Sequence, residues 1–273
     1  MSNEKKQCIE VKVTELFSLY IELKAPCSQD LIHMFPRSEI KMEIPNIWYE
    51  KSDEYKFYSD INGLEFISQK SIYDIMFIIE DYIQNRFNNI ALHGGAIAYK
   101  DMAIAFIQSR RSGKSTLIRA LLANDEYKYI SDDLIIYDDG KIAGVALPIR
   151  VRNKLENKIN STGQYIGEIK DEIGETRNIY VPRNEIRSEF TKLNSIILPK
   201  YVDECKNDII ELTGAEKFMS ILNNVKDYSN TRELYDGLIE MAGKTKVFEL
   251  RYHDIDFAEK EVMKLWKAWQ EKK

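Results

Sequence analysis

Residues 106–117 read Phe106-Ile107-Gln108-Ser109-Arg110-Arg111-Ser112-Gly113-Lys114-Ser115-Thr116-Leu117. An apolar run leads into this stretch and an amphipathic pattern leads out of it, which predicts a strand, a loop and a helix. In that setting the backbone N–H groups of a Gly-Lys-Ser turn point at phosphate oxygens. We therefore predict that residues 109–116 bind a nucleoside triphosphate, with Lys114 at its β- and γ-phosphates and Ser115 on Mg²⁺.

The loop departs from the common phosphate loop at its first position. Gln108 stands where that loop begins with glycine, so this one is expected to bend differently. Arg110 and Arg111 lie inside the loop, where cations beside phosphates are electrostatically favourable, although both side chains can equally point to water. The alternative interpretation is a lysine at an ordinary strand-to-helix turn.

Two further motifs flank the loop. They are Leu92-His93-Gly94-Gly95-Ala96 before it and Tyr129-Ile130-Ser131-Asp132-Asp133 after it. Adjacent side chains at the end of a strand point to opposite sides, so Asp132 and Asp133 can divide two roles. Phosphoryl transfer requires charge neutralisation and a positioned base. The alternatives are that the two acids cap a strand and that His93 is a core histidine.

The order of these motifs, followed by Gly144-Val145-Ala146-Leu147-Pro148-Ile149-Arg150, resembles the catalytic domain of HPr kinase/phosphorylase. It resembles more closely the shorter HPr kinase-related proteins that lack that enzyme's own N-terminal domain. The resemblance implies an α/β phosphate-loop fold related to the nucleotide site of phosphoenolpyruvate carboxykinase, with a small β-rich N-terminal unit. It also implies transfer of the γ-phosphoryl group of ATP or GTP to serine. Shorter members often act in biosynthetic clusters for ribosomally made peptides, where some resemble kinases of a precursor peptide.

The resemblance also assigns roles to individual residues. Asp132 matches the catalytic carboxylate that accepts the proton of the substrate hydroxyl, and Asp133 would hold Mg²⁺ or orient the site. His93 would lie near the γ-phosphate, beside the catalytic Lys114. Family relatives are often oligomeric, so a homo-oligomer is an expectation of the resemblance.

Two departures from the family's sequence pattern narrow the range of expected substrates. Gln108 and Arg111 stand where glycines are usual in the family, and residues 153–176 do not resemble the glycine-rich signature of the HPr-modifying enzyme. HPr itself and the reverse phosphorylase reaction are therefore disfavoured. The expected acceptor is a hydroxyl of a peptide or of a small metabolite.

Three arginines are candidate substrate contacts. Arg150 and Arg152 are two residues apart in an extended segment and so share a face, and Arg177 lies further along the chain. They can stabilise the transferring phosphate or hold an acidic substrate. A solvated strand face is the alternative.

Composition limits the class of protein. The chain has 273 residues, 44% of them hydrophobic, and a formal net charge of -5, which suits a globular protein and gives no global attraction for nucleic acid. The three cysteines, Cys8, Cys27 and Cys205, fit no zinc spacing and are expected to be reduced thiols. The polar N-terminus resembles no signal peptide, and no run of about 18 apolar residues occurs. We expect a cytoplasmic protein with no membrane or nucleic-acid partner.

The pattern of elements predicts two parts, a β-rich unit at 1–88 that ends in a helix capped by Ser71, and the catalytic domain at 89–273. In the second part we predict strands at 91–99, 102–108, 127–130, 134–137, 142–151, 196–198 and 247–252, and helices at 114–123, 214–224, 231–242 and 257–270. Residues 153–176 are polar and poorly patterned, which predicts a long mobile segment beside the site.

The sequence is compatible with three functions. The first is a magnesium-dependent serine kinase. The second is a non-catalytic module that binds nucleotide or peptide, favoured by the unusual loop. The third is a nucleoside triphosphatase switch with no phosphoryl acceptor.

Overall fold

The computed structural model describes residues 4–15, 17–25, 27–61, 65–68, 71–86, 90–109, 111–152, 163–170, 175–204, 206–226 and 231–270. Within them the chain is a mixed α/β protein with three sheets. No helix in these ranges is long and apolar enough to cross a membrane.

The N-terminal sheet has six strands in the order β3-β1-β2-β4-β5-β6. Its strands are β1 (Lys6–Thr14), β2 (Phe17–Glu22), β3 (Ile40–Glu43), β4 (Ile47–Lys51), β5 (Tyr55–Ser59) and β6 (Glu65–Ser68). All neighbours are antiparallel except β2 and β4, and a short helix, α1 (Ser28–Met34), connects β2 to β3. The described part of the chain before residue 70 is thus rich in strands and contains one short helix.

Helix α2 (Ile75–Arg86) covers this sheet and joins it to the rest of the molecule. The Ser71 hydroxyl accepts a hydrogen bond from the Tyr73 N–H and caps a short 3-10 turn before the helix, as its sequence predicts. The apolar face of α2 packs in a cluster that also contains Leu134, Ile136 and Val145 from beyond residue 89. One continuous core therefore connects the N-terminal unit with the part that carries the phosphate-loop motif.

The central sheet has eight strands and carries that motif. Its path is β11-β10-β7-β8-β15-β17-β16, with β9 also paired to β7. The strands are β7 (Ile90–Tyr99), β8 (Met102–Ile107), β9 (Tyr127–Ser131), β10 (Leu134–Asp138), β11 (Lys141–Gly144), β15 (Thr191–Tyr201), β16 (Asp208–Leu212) and β17 (Lys246–Tyr252). The pairs β8–β15 and β15–β17 are parallel, so these strands end at the same edge of the sheet.

Helices cover both faces of the central sheet. Helices α3 (Lys114–Leu121) and α6 (Ile255–Gln270) share one apolar cluster with Ile97 of β7. Helices α4 (Gly214–Leu222) and α5 (Arg232–Lys244) share another with Ala96, whose side chain is on the opposite face of β7. The four predicted helices of this part are therefore present, in a three-layer arrangement.

The third sheet contradicts part of the sequence prediction. It consists of β12 (Ile149–Val151), β14 (Thr176–Pro182) and β13 (Gly163–Lys170), in that order. Residues 163–170 were expected in an unstructured excursion but form a strand, because pairing with β14 supplies order that their local pattern does not show. Residues 153–162 and 171–174, to which the rest of that prediction refers, lie outside the described residues.

Candidate active site

The predicted phosphate loop lies between the end of β8 and the start of α3. Gly113 has φ 91°, and a Cβ there would approach the Tyr252 hydroxyl to 2.4 Å, so only glycine fits. Arg111 also has a positive φ, 74°, which costs free energy for a side chain that is not glycine. Arg111 is the one residue other than glycine with a positive φ among the described residues of the loop.

Two tyrosines at the ends of the parallel strands hold the loop. The Tyr201 N–H donates to the Ser112 carbonyl at 2.9 Å, and the Tyr252 hydroxyl donates to the Gly113 carbonyl at 3.2 Å. The two rings pack edge to face with centroids 5.7 Å apart. The N–H groups at the start of α3 are thus supported by a fixed loop in which Ser112 is buried.

Lys114 is the first residue of α3 and is only 7% exposed. Its Nζ lies 3.2 Å from Nε2 of His93 on β7. An ammonium group only donates, so His93 accepts at Nε2 and is neutral. Burial, with the charge of Lys114, lowers the pKa of His93 to about 4, which keeps the ring neutral at physiological pH. Burial also lowers the pKa of Lys114, against the opposing effect of Asp133 and Asp132.

Asp132 follows β9 directly and is 1% exposed. Among the described residues, neither of its carboxylate oxygens has a partner with ordinary hydrogen-bond geometry. The Ser115 side chain is close enough to favour the ionised form, but burial and the charge of Asp133 prevail and raise the pKa of Asp132 to about 7. A Cβ at Gly95 would approach the Asp132 Cα to 2.8 Å, so glycine on β7 allows this close packing.

Asp133 has a different environment from that of Asp132. Its Oδ2 accepts from Nη2 of Arg150 at 2.5 Å and from Nε at 3.1 Å. Burial opposes ionisation of Asp133, but the charges of Arg150 and Lys114 outweigh it and hold the pKa of this carboxyl well below its usual range. At neutral pH the site therefore contains one firmly ionised acid beside one that titrates near neutrality.

A buried ionic network connects Asp133 to helix α2. Nη2 of Arg150 also donates to Glu80 Oε1 at 2.8 Å, and Lys226 Nζ donates to Glu80 Oε2 at 2.7 Å. The Arg150 guanidinium lies over the Phe77 ring, 4.4 Å from its centroid. The N-terminal unit thus sets the position of Arg150, and through it that of Asp133.

Replacing Glu80 with glutamine should destabilise the protein by about 2–4 kcal/mol, because it leaves Arg150 and Lys226 buried with one carboxylate fewer. Thermal unfolding followed by circular dichroism would measure this. The matched control is Glu240→Gln, which removes an exposed pair with Lys244 and should leave the unfolding temperature nearly unchanged. Equal effects of the two substitutions would show that the network is not energetically important.

A second group of arginines surrounds Glu175 beside the loop. Arg111 Nη2 lies 3.0 Å from Glu175 Oε1, while Arg152 Nε and Arg177 Nη2 lie 2.5 and 3.9 Å from Oε2. Arg150 is therefore separated in function from Arg152, although the two were predicted to share a face. Three cations from different segments converge on one carboxylate, which marks a place that favours negative charge.

The structure thus brings His93, Lys114, Ser115, Asp132 and Asp133 together, as the motif order led us to expect. Of the other predicted loop residues, Ser109 donates its N–H to the Gln108 side chain, Thr116 lies in the first turn of α3, and Arg110 lies outside the described residues. No group of three or more His, Cys, Asp or Glu side chains that would hold a metal occurs within the described ranges.

Sequence reasoning missed Glu80, Lys226, Tyr201 and Tyr252. Glu80 had a weak signal, since an acid between Met76 and Ile83 interrupts an apolar helical face. Lys226 had none, because its partner is 146 residues away.

Comparisons with known proteins add little to this geometry. No protein-family model and no curated protein matches the chain. Among solved structures, the chain is similar to the HPr(Ser) kinase/phosphatase from Coxiella burnetii, with 12% sequence identity and a TM-score of 0.31. The alignment covers 67% of this chain and 97% of that one. The likeness is weak, and no conclusion about residues of this chain rests on it.

Proposed function

We propose that this chain binds a nucleoside triphosphate, ATP or GTP, with Mg²⁺, and transfers the γ-phosphoryl group to a hydroxyl of a peptide or small metabolite. The observation that carries the proposal is a buried lysine at the start of a helix, close to two carboxylates. One of them, Asp132, is buried and has no partner of ordinary hydrogen-bond geometry among the described residues. Burying these charges costs free energy, and such a cost is typical of functional sites.

The phosphates would bind at the start of α3. The N–H groups of residues 112–115 and the positive end of the helix dipole favour anions, and Lys114 adds a full charge. The neutral His93 ring accepts a hydrogen bond from Nζ of Lys114 and does not neutralise its positive charge. These groups would bind the β- and γ-phosphates, where negative charge shifts during the transfer.

Mg²⁺ would be held by the Ser115 hydroxyl, a carboxylate and the phosphates themselves. Magnesium commonly takes only one or two protein carboxylates at such sites, so a cluster of three acidic ligands is not required. The cation, once bound, would neutralise charge on the phosphate oxygens.

Asp132 is the proposed base. A carboxyl with a pKa of about 7 is half ionised at neutral pH and matches the requirements of proton transfer. The acceptor oxygen bonds to the γ-phosphorus while the bond between that phosphorus and the departing nucleoside diphosphate breaks. Asp132 takes the proton of the acceptor hydroxyl in this step. In this assignment Asp133 holds Mg²⁺ or orients the site.

The contact with Ser115 favours a second division of the two roles. Asp132 would then join Ser115 on the cation, and Asp133, oriented by Arg150, would face the acceptor. Arg150 is enclosed between two carboxylates, so we assign it to orienting Asp133 rather than to binding substrate. Arg152 and Arg177 remain proposed contacts for an acidic or phosphorylated acceptor.

The experiment is incubation of the purified chain with Mg²⁺ and γ-labelled ATP or GTP, with serine-containing peptides or small hydroxy metabolites present. A kinase transfers label to an acceptor. A triphosphatase releases labelled phosphate at the same rate without any acceptor, and a binding module does neither while still binding nucleotide. The kinase proposal is wrong if binding is measured and no acceptor is labelled. The strained backbone of Arg111 is the feature that most favours the binding module.

A further inference from the structure

The outer edge of the N-terminal sheet carries an apolar surface that function at the nucleotide site does not explain. Strand β3 is the edge strand and, among the described residues, pairs with β1 alone. Ile40, Met42 and Ile44, on and just after β3, are 48%, 58% and 47% exposed. Edge strands are usually protected by charges or by proline, because an open apolar edge invites pairing with another chain.

The hydrogen bonds of β1 show which backbone groups of β3 are open. The Glu10 N–H donates to the Glu39 carbonyl, and the Leu23 N–H on the other side donates to the Gln7 carbonyl. Even-numbered residues of β1 therefore bond to β3, and the register pairs them with odd-numbered residues of β3. The N–H and C=O groups of Ile40 and Met42 consequently point away from β1, toward the open edge.

The side chains on this edge divide into an apolar and a charged face. Ile40 lies opposite Ile9, which belongs to the core cluster of the sheet. Ile40 and Met42 therefore extend the apolar face of the sheet past the elements that pack against it. Lys41 and Glu43 lie on the other face, where Lys41 contacts Glu10 at 2.6 Å. The apolar edge is therefore not masked by the charges of its own strand.

The sequence of the edge is complementary to itself. An antiparallel pairing of two copies centred on Met42 places Ile40 opposite the second copy's Ile44 and Lys41 opposite its Glu43. In this register the outward-pointing backbone groups of one copy meet those of the other. Both reciprocal charge pairs are favourable, and the opposed apolar side chains match. Few registers of a five-residue segment satisfy all three conditions.

We infer that β3 is the contact surface of a two-fold symmetric dimer of this chain, in which the two six-stranded sheets join edge to edge through Met42. Such an interface is isologous and closes after two copies, so it does not lead to fibres. Because the contact is confined to two edge strands, we expect it to be smaller than a permanent interface of about 2,000 Å² or more. The dimer should therefore be reversible and dependent on concentration. The inference does not depend on the proposed chemistry.

The test uses the position of Met42 on the two-fold axis, where each side chain faces its own copy. Met42→Lys and Met42→Glu each place like charges opposite one another and should weaken the dimer at least about tenfold. An equimolar mixture of the two variants should restore dimer formation, since opposite charges then meet. Sedimentation velocity over about two decades of concentration would measure all three samples and the parent.

The matched control is Met219→Lys, which introduces the same charge at a methionine on α4 that is 47% exposed and should leave the dimer unchanged. Circular dichroism verifies that each variant is folded. If the parent protein stays monomeric, the inference is wrong, and β3 would instead pair with a segment of another protein. A dimer that survives both Met42 substitutions, or a mixture that dimerises no better than its components, overturns the interface or its register.

Discussion

Replacing Lys114 with methionine should lower the affinity for the magnesium–nucleotide complex about 100-fold. Methionine keeps most of the length of the side chain but removes the charge that binds the phosphates. Loss of a charged partner in a desolvated site costs about 2–3 kcal/mol. Titration calorimetry with a non-hydrolysable ATP or GTP analogue and Mg²⁺ measures the effect directly.

Lys141→Met serves as the control for Lys114→Met, because Lys141 is exposed on β11 and its loss removes the same charge elsewhere. It should bind nucleotide like the parent protein. Adenosine or guanosine without phosphates should bind both proteins equally, since Lys114 would contact only phosphate. Unchanged affinity in the Lys114 variant would mean that the nucleotide binds somewhere other than this loop.

Asp132→Asn should reduce phosphoryl transfer by about 10²–10⁴ while nucleotide binding stays nearly intact, because the amide keeps the shape but cannot accept the hydroxyl proton. Asp133→Asn should instead raise the Mg²⁺ concentration required for half-maximal rate. Single-turnover transfer of labelled phosphate at saturating nucleotide, with Mg²⁺ varied, separates the two effects. The opposite result, a magnesium requirement that rises in Asp132→Asn, would establish the second division of roles.

The pH dependence gives a second check on Asp132. Its pKa of about 7 lies above the ordinary aspartate value of about 3.9, so between these pH values the native state binds more protons than the unfolded state. The stabilising effect of protonation is thus lost as pH rises toward 7, and transfer by the parent should increase over the same range. Asp132→Asn should be more stable than the parent at pH 8, with a difference that shrinks toward pH 5. A variant that is less stable at every pH would make its loss of activity uninformative.

Local signals were sufficient to predict the elements that carry the motif. The β7–β8 hairpin, α3 and the strand before Asp132 each have a clear apolar run or helical period and a turn or loop at the predicted place. Strand β15 was predicted only at 196–198 because Thr191, Ser195 and Pro199 interrupt the apolar run. Ser195 and Thr191 are nevertheless buried, and Pro199 is tolerated because β8 pairs only as far as Ile197.

The different ionisation of the two aspartates could not be predicted without the tertiary structure. Adjacent aspartates have identical signals in the sequence, yet Arg150 reaches only Asp133, which lowers one pKa while that of its neighbour rises. Arg150 is in turn bonded to Glu80, and Glu80 to Lys226, residues that are far apart in sequence and meet only in the folded chain. Likewise, β3 alternates apolar and charged residues over only four positions, too few to distinguish a strand from a loop.

The contact between Glu80 and Arg150 also bears on how the chain can be divided. A fragment starting at residue 90 would retain the whole loop motif but would expose Leu134 and Ile136 and leave Arg150 without one of its two carboxylates. Such a fragment should aggregate rather than hydrolyse or transfer phosphate. The first 86 residues supplied as a separate polypeptide should rescue it, since the shared core would drive reassociation. Unfolding of the intact chain should then be a single cooperative transition, with no temperature at which one part melts before the other.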